Sequence, residues 1–300
     1  MLYSRTILFL VFFFAICHLS LSEKDYPEPE LIEGDIVLDE STAFAVVDTK
    51  SPGKRRRKRE IPRNTIKVWN NAVIPYVISD EMGMKGRKVI RKAFRNLARR
   101  TCVTFIPKQA YHNDFVKFIA ARKGCYSSIG RKGGEQVVSL GDGCLDRGHV
   151  IHEIMHALGF FHEHSRFDRD KYVKILWWNI QRGMERNFLS YSHHPVDSLN
   201  EPYDLFSIMH YDNKAFSRNG QDTMQSRKNP YLRFGRHRSL SRVDIKQLTK
   251  LYNCPIPSTR NRGFCYNKYS RCSSYAATSD VCEKSYEFMR IYCSKACGFC

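Results

Sequence analysis

His152 and His156 stand four residues apart with Glu153 beside the first of them. On a helix this spacing puts both imidazoles on one face, where their nitrogens can approach one ion from the same side, and leaves Glu153 on the adjoining edge. A third histidine, His162, lies too far along to share that face if the helix simply continues. Gly159 supplies the break. Without a Cβ it can take a left-handed conformation, end the helix and turn the chain so that His162 reaches the same point. Three neutral imidazoles leave one coordination position for water, the arrangement of a catalytic rather than a structural zinc site. One Zn2+ per chain is therefore expected. A bare HExxH occurs by chance in many helices, and the added Gly159 and His162 make this one specific.

Residues 152–162 match HExxHxxGxxH, the metzincin pattern, which is followed downstream by a methionine turn. Ser207, Ile208, Met209, His210 and Tyr211 fit that turn. The continuation Phe160, His162, Glu163, Arg166, Asp168, Arg169 and Asp170 resembles the astacin family of zinc endopeptidases over residues 69–254. The resemblance implies peptide-bond hydrolysis, with Glu153 as general base and Met209 as an apolar floor beneath the metal ligands. It implies that Tyr211 ligates the metal through its phenol, swings away when substrate binds and then stabilises the oxyanion. It also implies that Glu163 engages the amino terminus of the processed enzyme. The fold class it implies is α+β: a metzincin, zincin-like catalytic domain with a mixed-sheet upper subdomain and an irregular lower one.

The elements that must position these residues are partly legible. Residues 73–79 read as a strand, and 85–99 as an amphipathic helix with Val89, Ile90, Ala93, Phe94 and Leu97 on one side. Residues 102–106 and 115–121 read as further strands, rich in β-branched and aromatic side chains. Residues 125–131 and 136–140 resemble the edge strand and loop along the astacin cleft, where an extended peptide substrate could add as a strand. Beyond Asp170, a helix is predicted over 177–189. A final helix is predicted over 241–252, with Ser241 and Asp244 as its N-terminal cap pair. By resemblance, Cys102 pairs with Cys254 and Cys125 with Cys144.

The chain before residue 60 reads as a leader and a pro-segment. Ser4 and Arg5 precede a short apolar run over 7–16, which predicts a secretory signal over 1–22 and an extracellular protein. Nothing later is apolar for long enough to span a bilayer, so an integral membrane protein is not expected. Residues 23–48 are acidic and aromatic-poor, and are not expected to fold alone. Within them Ile32, Glu33, Gly34 and Asp35 resemble the astacin motif whose aspartate ligates the zinc in the latent form, although the family usually has Phe at the first position. The resemblance makes Asp35 the latency ligand. Six basic residues over 54–59 suggest cleavage after Arg59 by a furin-like convertase. The predicted division is therefore signal 1–22, propeptide 23–59, catalytic domain 60–256, linker 257–264 and a terminal module over 265–300.

Eleven cysteines occur; Cys17 leaves with the signal and the remaining ten suggest five disulfides in an oxidising compartment. Six of them crowd residues 265–300, a module too small to hold itself together without bridges. Spacing alone leaves their pairing open. The terminal CSKACGFC resembles the ShK-toxin-like (ShKT) module appended to many invertebrate astacins, which implies Cys265–Cys300, Cys272–Cys293 and Cys282–Cys297. The lysine and tyrosine with which such toxins block channels are replaced here by Glu287 and Phe288, so anchoring or substrate docking is expected instead.

The formal charge is +19. Residues 1–59 hold nine basic and nine acidic side chains, so the whole excess lies in 60–300. A basic secreted protein favours acidic matrix or glycans in a salt-dependent way; nucleic acid is not an expected partner, and the chain is expected to act as a monomer. Arg218, Arg233, Arg236, His237 and Arg238 suggest a preference for an acidic residue just after the scissile bond. The competing reading is a secreted binding protein that acts through its terminal module, with the protease domain as scaffold.

Overall fold

The computed structural model describes residues 28–39, 42, 66–120, 124–191, 198–235, 238–255, 267, 271–277, 281–284, 289, 293 and 296–297. The stretches expected to be a signal and a linker, the basic run ending at Arg59, Glu287 and Phe288, and the expected Cys265–Cys300 pairing lie outside the described residues.

In the stretch expected to be a propeptide, the described structure begins with a small hairpin, β1 (Leu31–Ile32) and β2 (Ile36–Val37). Strands β3 (Val73–Ile78), β4 (Thr104–Pro107), β5 (Phe115–Ile119), β6 (Cys125–Ser127) and β7 (Glu135–Leu140) join it in one mixed sheet of spatial order β1-β2-β6-β7-β5-β3-β4. β3, β4, β5 and β7 run parallel to one another, and β6 is antiparallel to β7. The strand foreseen at 102–106 starts at Thr104, because Thr101 is still tied to the preceding helix and its hydroxyl accepts from Val103 N.

Helix α1 (Gly83–Arg100) forms because Ile90, Ala93, Phe94 and Leu97 recur at helical spacing and are all buried. Phe94 stacks on Phe105 at 4.0 Å and meets Phe118 edge-on at 5.5 Å, which locks the helix to the sheet. Helix α2 (Arg147–Ala157) is capped by Asp146, whose carboxylate accepts from Gly148 N and His149 N. Its apolar residues Val150, Ile151, Ile154 and Met155 belong to the same core as α1. The core thus fixes the back of α2 and leaves its opposite face to carry function.

Below this half, regular structure thins to β8 (Val173–Ile175) paired with β9 (Met224–Ser226), and to helix α3 (Arg242–Leu251). The helix predicted over 177–189 is not formed; two short 3-10 turns, Trp177–Asn179 and Glu185–Phe188, take its place. Gly183 turns left-handed between them. The backbone groups that would close a helix bond elsewhere: Gln181 N donates to Phe216 O, and Asn179 O accepts from Arg218 N. Helix α3 carries the foreseen cap pair. Ser241 Oγ accepts from Asp244 N at 2.9 Å while Asp244 Oδ2 accepts from Ser241 N at 2.7 Å, a capping box. Helices α4 (Cys272–Ala276) and α5 (Val281–Lys284) form a small helical module bridged by Cys272–Cys293 and Cys282–Cys297. Cys102–Cys254 and Cys125–Cys144 are also bonded.

Candidate active site

Helix α2 ends where the histidine spacing requires. Gly159 sits at φ +112°, its N–H donates to His156 O, and Phe160 N donates to Met155 O, bonds that close the helix with a left-handed turn. Trp69 Nε1 donates to Ala157 O at 2.8 Å and Tyr252 OH to Leu158 O at 2.9 Å, which satisfies the last carbonyls of the helix. The chain then doubles back and brings His162 within 3.1 Å of His152, measured between their Nε2 atoms.

The outer nitrogen of each ring faces an oxygen. His152 Nδ1 lies 2.8 Å from Ile208 O, His156 Nδ1 2.7 Å from Phe160 O, and His162 Nδ1 2.6 Å from Glu33 Oε2. With each Nδ1–H donating outward, the three Nε2 lone pairs converge, as in metal-binding histidines. Asp35 completes the group. Its Oδ2 is 3.2 Å from His152 Nε2, and its Oδ1 is 3.6 Å from His156 Nε2 and 3.3 Å from His162 Nε2. The four ligand atoms lie within 4.8 Å of one another.

The fit to Zn2+ can be tested on this geometry. A tetrahedral zinc with bonds of about 2.0–2.1 Å holds its ligand atoms about 3.3 Å apart, close to the 3.1–3.6 Å that separates His152 from His162 and Asp35 from each of the three rings. Asp35 Oδ1 and His156 Nε2 are buried without a hydrogen-bond partner, a costly state that a shared cation relieves. The electrostatics point the same way. Burial would depress His162, but the charge of Asp35 and the contacts with Asp35 and Glu33 push its ring up to about 10. Burial would raise Asp35, yet the charge of His162 and the three facing imidazoles hold it well below the usual carboxylate range. His156, buried and without such an outer carboxylate, is pushed down to about 4. The cluster favours a cation and suits a single zinc.

The other foreseen residues gather around it. Glu153 is buried beside His152 on α2, with Oε2 unpartnered; burial first and the Asp35 charge second push its carboxyl well above the usual range. Met209 is buried in the main core with the apolar residues of α2. Asp244, which caps α3, also accepts from Ser207 Oγ at 2.6 Å and from Ile208 N at 3.0 Å, so one carboxylate fixes both the helix and the methionine turn. Tyr211 packs face to face on His164 with 3.8 Å between ring centroids. Its phenol is held well above its ordinary range by burial and by Asp35 and Glu33, and it donates to Glu33 O. Glu163 is buried and accepts from Arg166 Nη1 at 3.0 Å and Asp204 N at 2.9 Å. Burial outweighs the opposing Arg166 charge and pushes it up to about 7. Of the cations offered for specificity, Arg233 is already paired with Asp222 at 2.6 Å, and Arg236 and His237 lie outside the described residues.

The segment 31–37 enters this site from a strand. β2 pairs with β6 in parallel, Ile36 opposite Ser127, and Ser127 N donates to Asp35 O at 2.9 Å; the edge foreseen for a substrate is thus taken by the chain's own segment. Ile32, where the family usually has Phe, is buried with Ile36, Ile129 and Phe161. Gly34 sits at φ +85°, a backbone conformation that favours glycine, and a Cβ there would also lie 2.7 Å from Phe216 Cζ. Sequence reasoning missed Glu33, His164, Ser165 and Tyr191. The need of each metal-binding histidine for an outer partner was the one available signal for Glu33.

The family model for the astacin peptidases matches residues 62–253, and an ShK domain-like model matches residues 264–300. The zinc metalloproteinase nas-4 of Caenorhabditis elegans is 39% identical over 249 residues, covering 81% of this chain and 76% of that protein. Zinc metalloproteinase nas-15 of the same species is 44% identical over 194 residues, covering 65% of this chain. This chain spans 34% of the length of nas-15 and 44% of nas-13, less than two thirds of either. Among solved structures, high choriolytic enzyme 1, a hatching enzyme zinc-protease from medaka (Oryzias latipes), is 41% identical. It superposes with a TM-score of 0.59 over 63% of this chain and 94% of that one. The matched stretch contains the three histidines, Glu153, the glycine break and the methionine turn, and with them the chain belongs to the astacin family of zinc peptidases.

Proposed function

We propose that the chain is a secreted zinc endopeptidase of extracellular proteins, made as a latent zymogen. The observation that carries this reading is Asp35 seated among His152, His156 and His162, on a segment paired with the strand edge suited to a substrate. When bound at that cluster, zinc supplies a Lewis acid that polarises the scissile carbonyl and makes water a nucleophile near neutral pH. The three histidines, oriented by their outer hydrogen bonds, hold the ion's place. Glu153 accepts the proton of the attacking water and delivers it to the leaving amine. Tyr211, a phenol rather than a phenolate by its surroundings, donates to the oxyanion that develops in the transition state.

Latency acts on each of these groups. Asp35 would hold the ion together with the three histidines in place of the water, its charge favours a protonated Glu153, and Glu33 O holds the Tyr211 hydroxyl. Cleavage after Arg59 by a furin-like convertase would free Glu60, and Glu163, buried next to Arg166, is the carboxylate for the new amine. The division into signal 1–22, propeptide 23–59, catalytic domain 60–256, linker 257–264 and ShKT module 265–300, acting as a monomer, follows this reading. Retention on acidic matrix or glycans is supported by the outer face of α1, where Lys85, Lys88, Arg91, Lys92, Arg95 and Arg99 are exposed opposite the buried Ile90 and Leu97.

Hydrolysis of a quenched peptide by the secreted chain tests the reading. Activity is expected only after cleavage near Arg59, and is expected to vanish with a zinc chelator. A Glu153→Gln chain should keep its zinc and lose hydrolysis. Hydrolysis that survives this change, or that precedes cleavage at full rate, would overturn the proposal.

A further inference from the structure

The three candidate ligands differ in where their outer partners come from. His152 and His156 lean on Ile208 O and Phe160 O, main-chain atoms that stay with the catalytic domain after processing. His162 leans on Glu33, which belongs to the pro-segment and leaves with it. The Glu33 side chain is buried and enclosed by donors: His162 Nδ1 at 2.6 Å, Ser165 Oγ at 2.7 Å and the hydroxyl of Tyr191. Its backbone sits at φ +50°, a left-handed conformation that costs a non-glycine residue energy and persists only where its surroundings fix it. A carboxylate held so closely is not a solvated neighbour of Asp35.

We propose that Glu33 is a positioning residue for the metal site, gripping His162 from behind while Asp35 closes the front, so that removing the pro-segment loosens the metal as well as opening the site. An outer carboxylate fixes the tautomer and orientation of a ligating imidazole and raises its basicity, and losing one typically costs about 10- to 100-fold in metal affinity. The unprocessed chain therefore holds zinc more tightly than residues 60–300 do, by a margin that Asp35 alone does not supply. This rests on the zymogen reading above and adds to it a second carboxylate with a separate task.

The test is the rate of zinc transfer from the full, uncleaved chain to a chromogenic chelator, for the unaltered protein and for Glu33→Ala, Glu33→Gln and Asp35→Asn. Glu33→Ala is expected to release zinc about 10- to 100-fold faster. Glu33→Gln, whose amide oxygen still accepts from His162 Nδ1, should recover part of that loss, which a merely structural disturbance would not. Cobalt-substituted chains add a spectroscopic readout, with the visible bands of Glu33→Ala expected to differ from those of the unaltered protein. Once cleaved after Arg59, all four chains are identical and must release zinc alike. If Glu33→Ala is not secreted, Ser165→Ala decides instead: it should speed release from the uncleaved chain and leave the cleaved chain's rate unchanged. Unaltered release from Glu33→Ala, or from Ser165→Ala where that stands in, overturns the proposal. If Asp35→Asn alone releases zinc faster and hydrolyses peptide before cleavage, the zymogen reading survives that failure. If Asp35→Asn and cleavage both leave release and hydrolysis unchanged, the zymogen reading itself fails.

Discussion

Tyr211 is the residue whose two tasks separate most cleanly by experiment. In this structure its hydroxyl donates to Glu33 O, and the proposed mechanism assigns the same donor to the developing oxyanion once the pro-segment has left. Tyr211→Phe keeps the ring that stacks on His164 and removes only the donor. On the processed form we expect kcat to fall by about 10²-fold or more with KM little changed, the usual cost of losing one oxyanion donor; steady-state kinetics on a quenched peptide would check it. At this scale the sequence was informative wherever chemistry depends on local spacing. His152, His156 and Gly159 share one helix and its end, so their relation could be read directly. Glu33 and His162 are 129 residues apart, and no periodicity links them. Only the fold, by laying residues 31–37 against β6, makes one the partner of the other.

Helix α2 carries the site, and its start is held by one half-exposed carboxylate. Burial would raise Asp146, but hydrogen bonds from His149 and from the first backbone amides, with the His149 charge, hold it below its usual range. A depressed acid contributes stability that is present above its unfolded pKa and lost as pH falls through the folded one. Asp146→Ala should therefore cost about 1 kcal/mol at pH 7, with the difference shrinking below about pH 4; thermal melts at both pH values would show it. Helix α1 makes a second element-scale prediction. Reversing Lys88, Lys92, Arg95 and Arg99 to glutamate should lower the salt needed to elute the protein from a heparin column, because exposed cations act through screened, long-range charge. The melting temperature should change little, since these side chains lie outside the core. Helices α1 and α3 were legible because their apolar spacing or cap chemistry is contained within them. The segment 177–189 was misread because its backbone partners, Phe216 and Arg218, come from a distant loop that no local pattern announces.

For the whole molecule, Cys102–Cys254 bridges a sequence separation of 152 residues around the catalytic domain. Replacing both cysteines with serine should destabilise the chain by about 2–5 kcal/mol, visible as a lower denaturation midpoint, while the small loop closed by Cys125 and Cys144 matters less. The fold class was readable because the zinc pattern, the methionine turn and the cysteine cluster each imply a known architecture. Strands β1 and β2 at one edge of the main sheet were not, because each is two residues long and is held by partners across a turn and on the distant β6. A peptide added to a sheet edge as substrate is extended throughout, whereas Glu33 and Gly34 are both left-handed, at φ +50° and +85°. The bonds flanking Gly34 therefore lie in a turn and not in a strand. On the zymogen reading, the segment seated among the three histidines is therefore bait whose nearest bonds are shaped unlike those of an extended substrate.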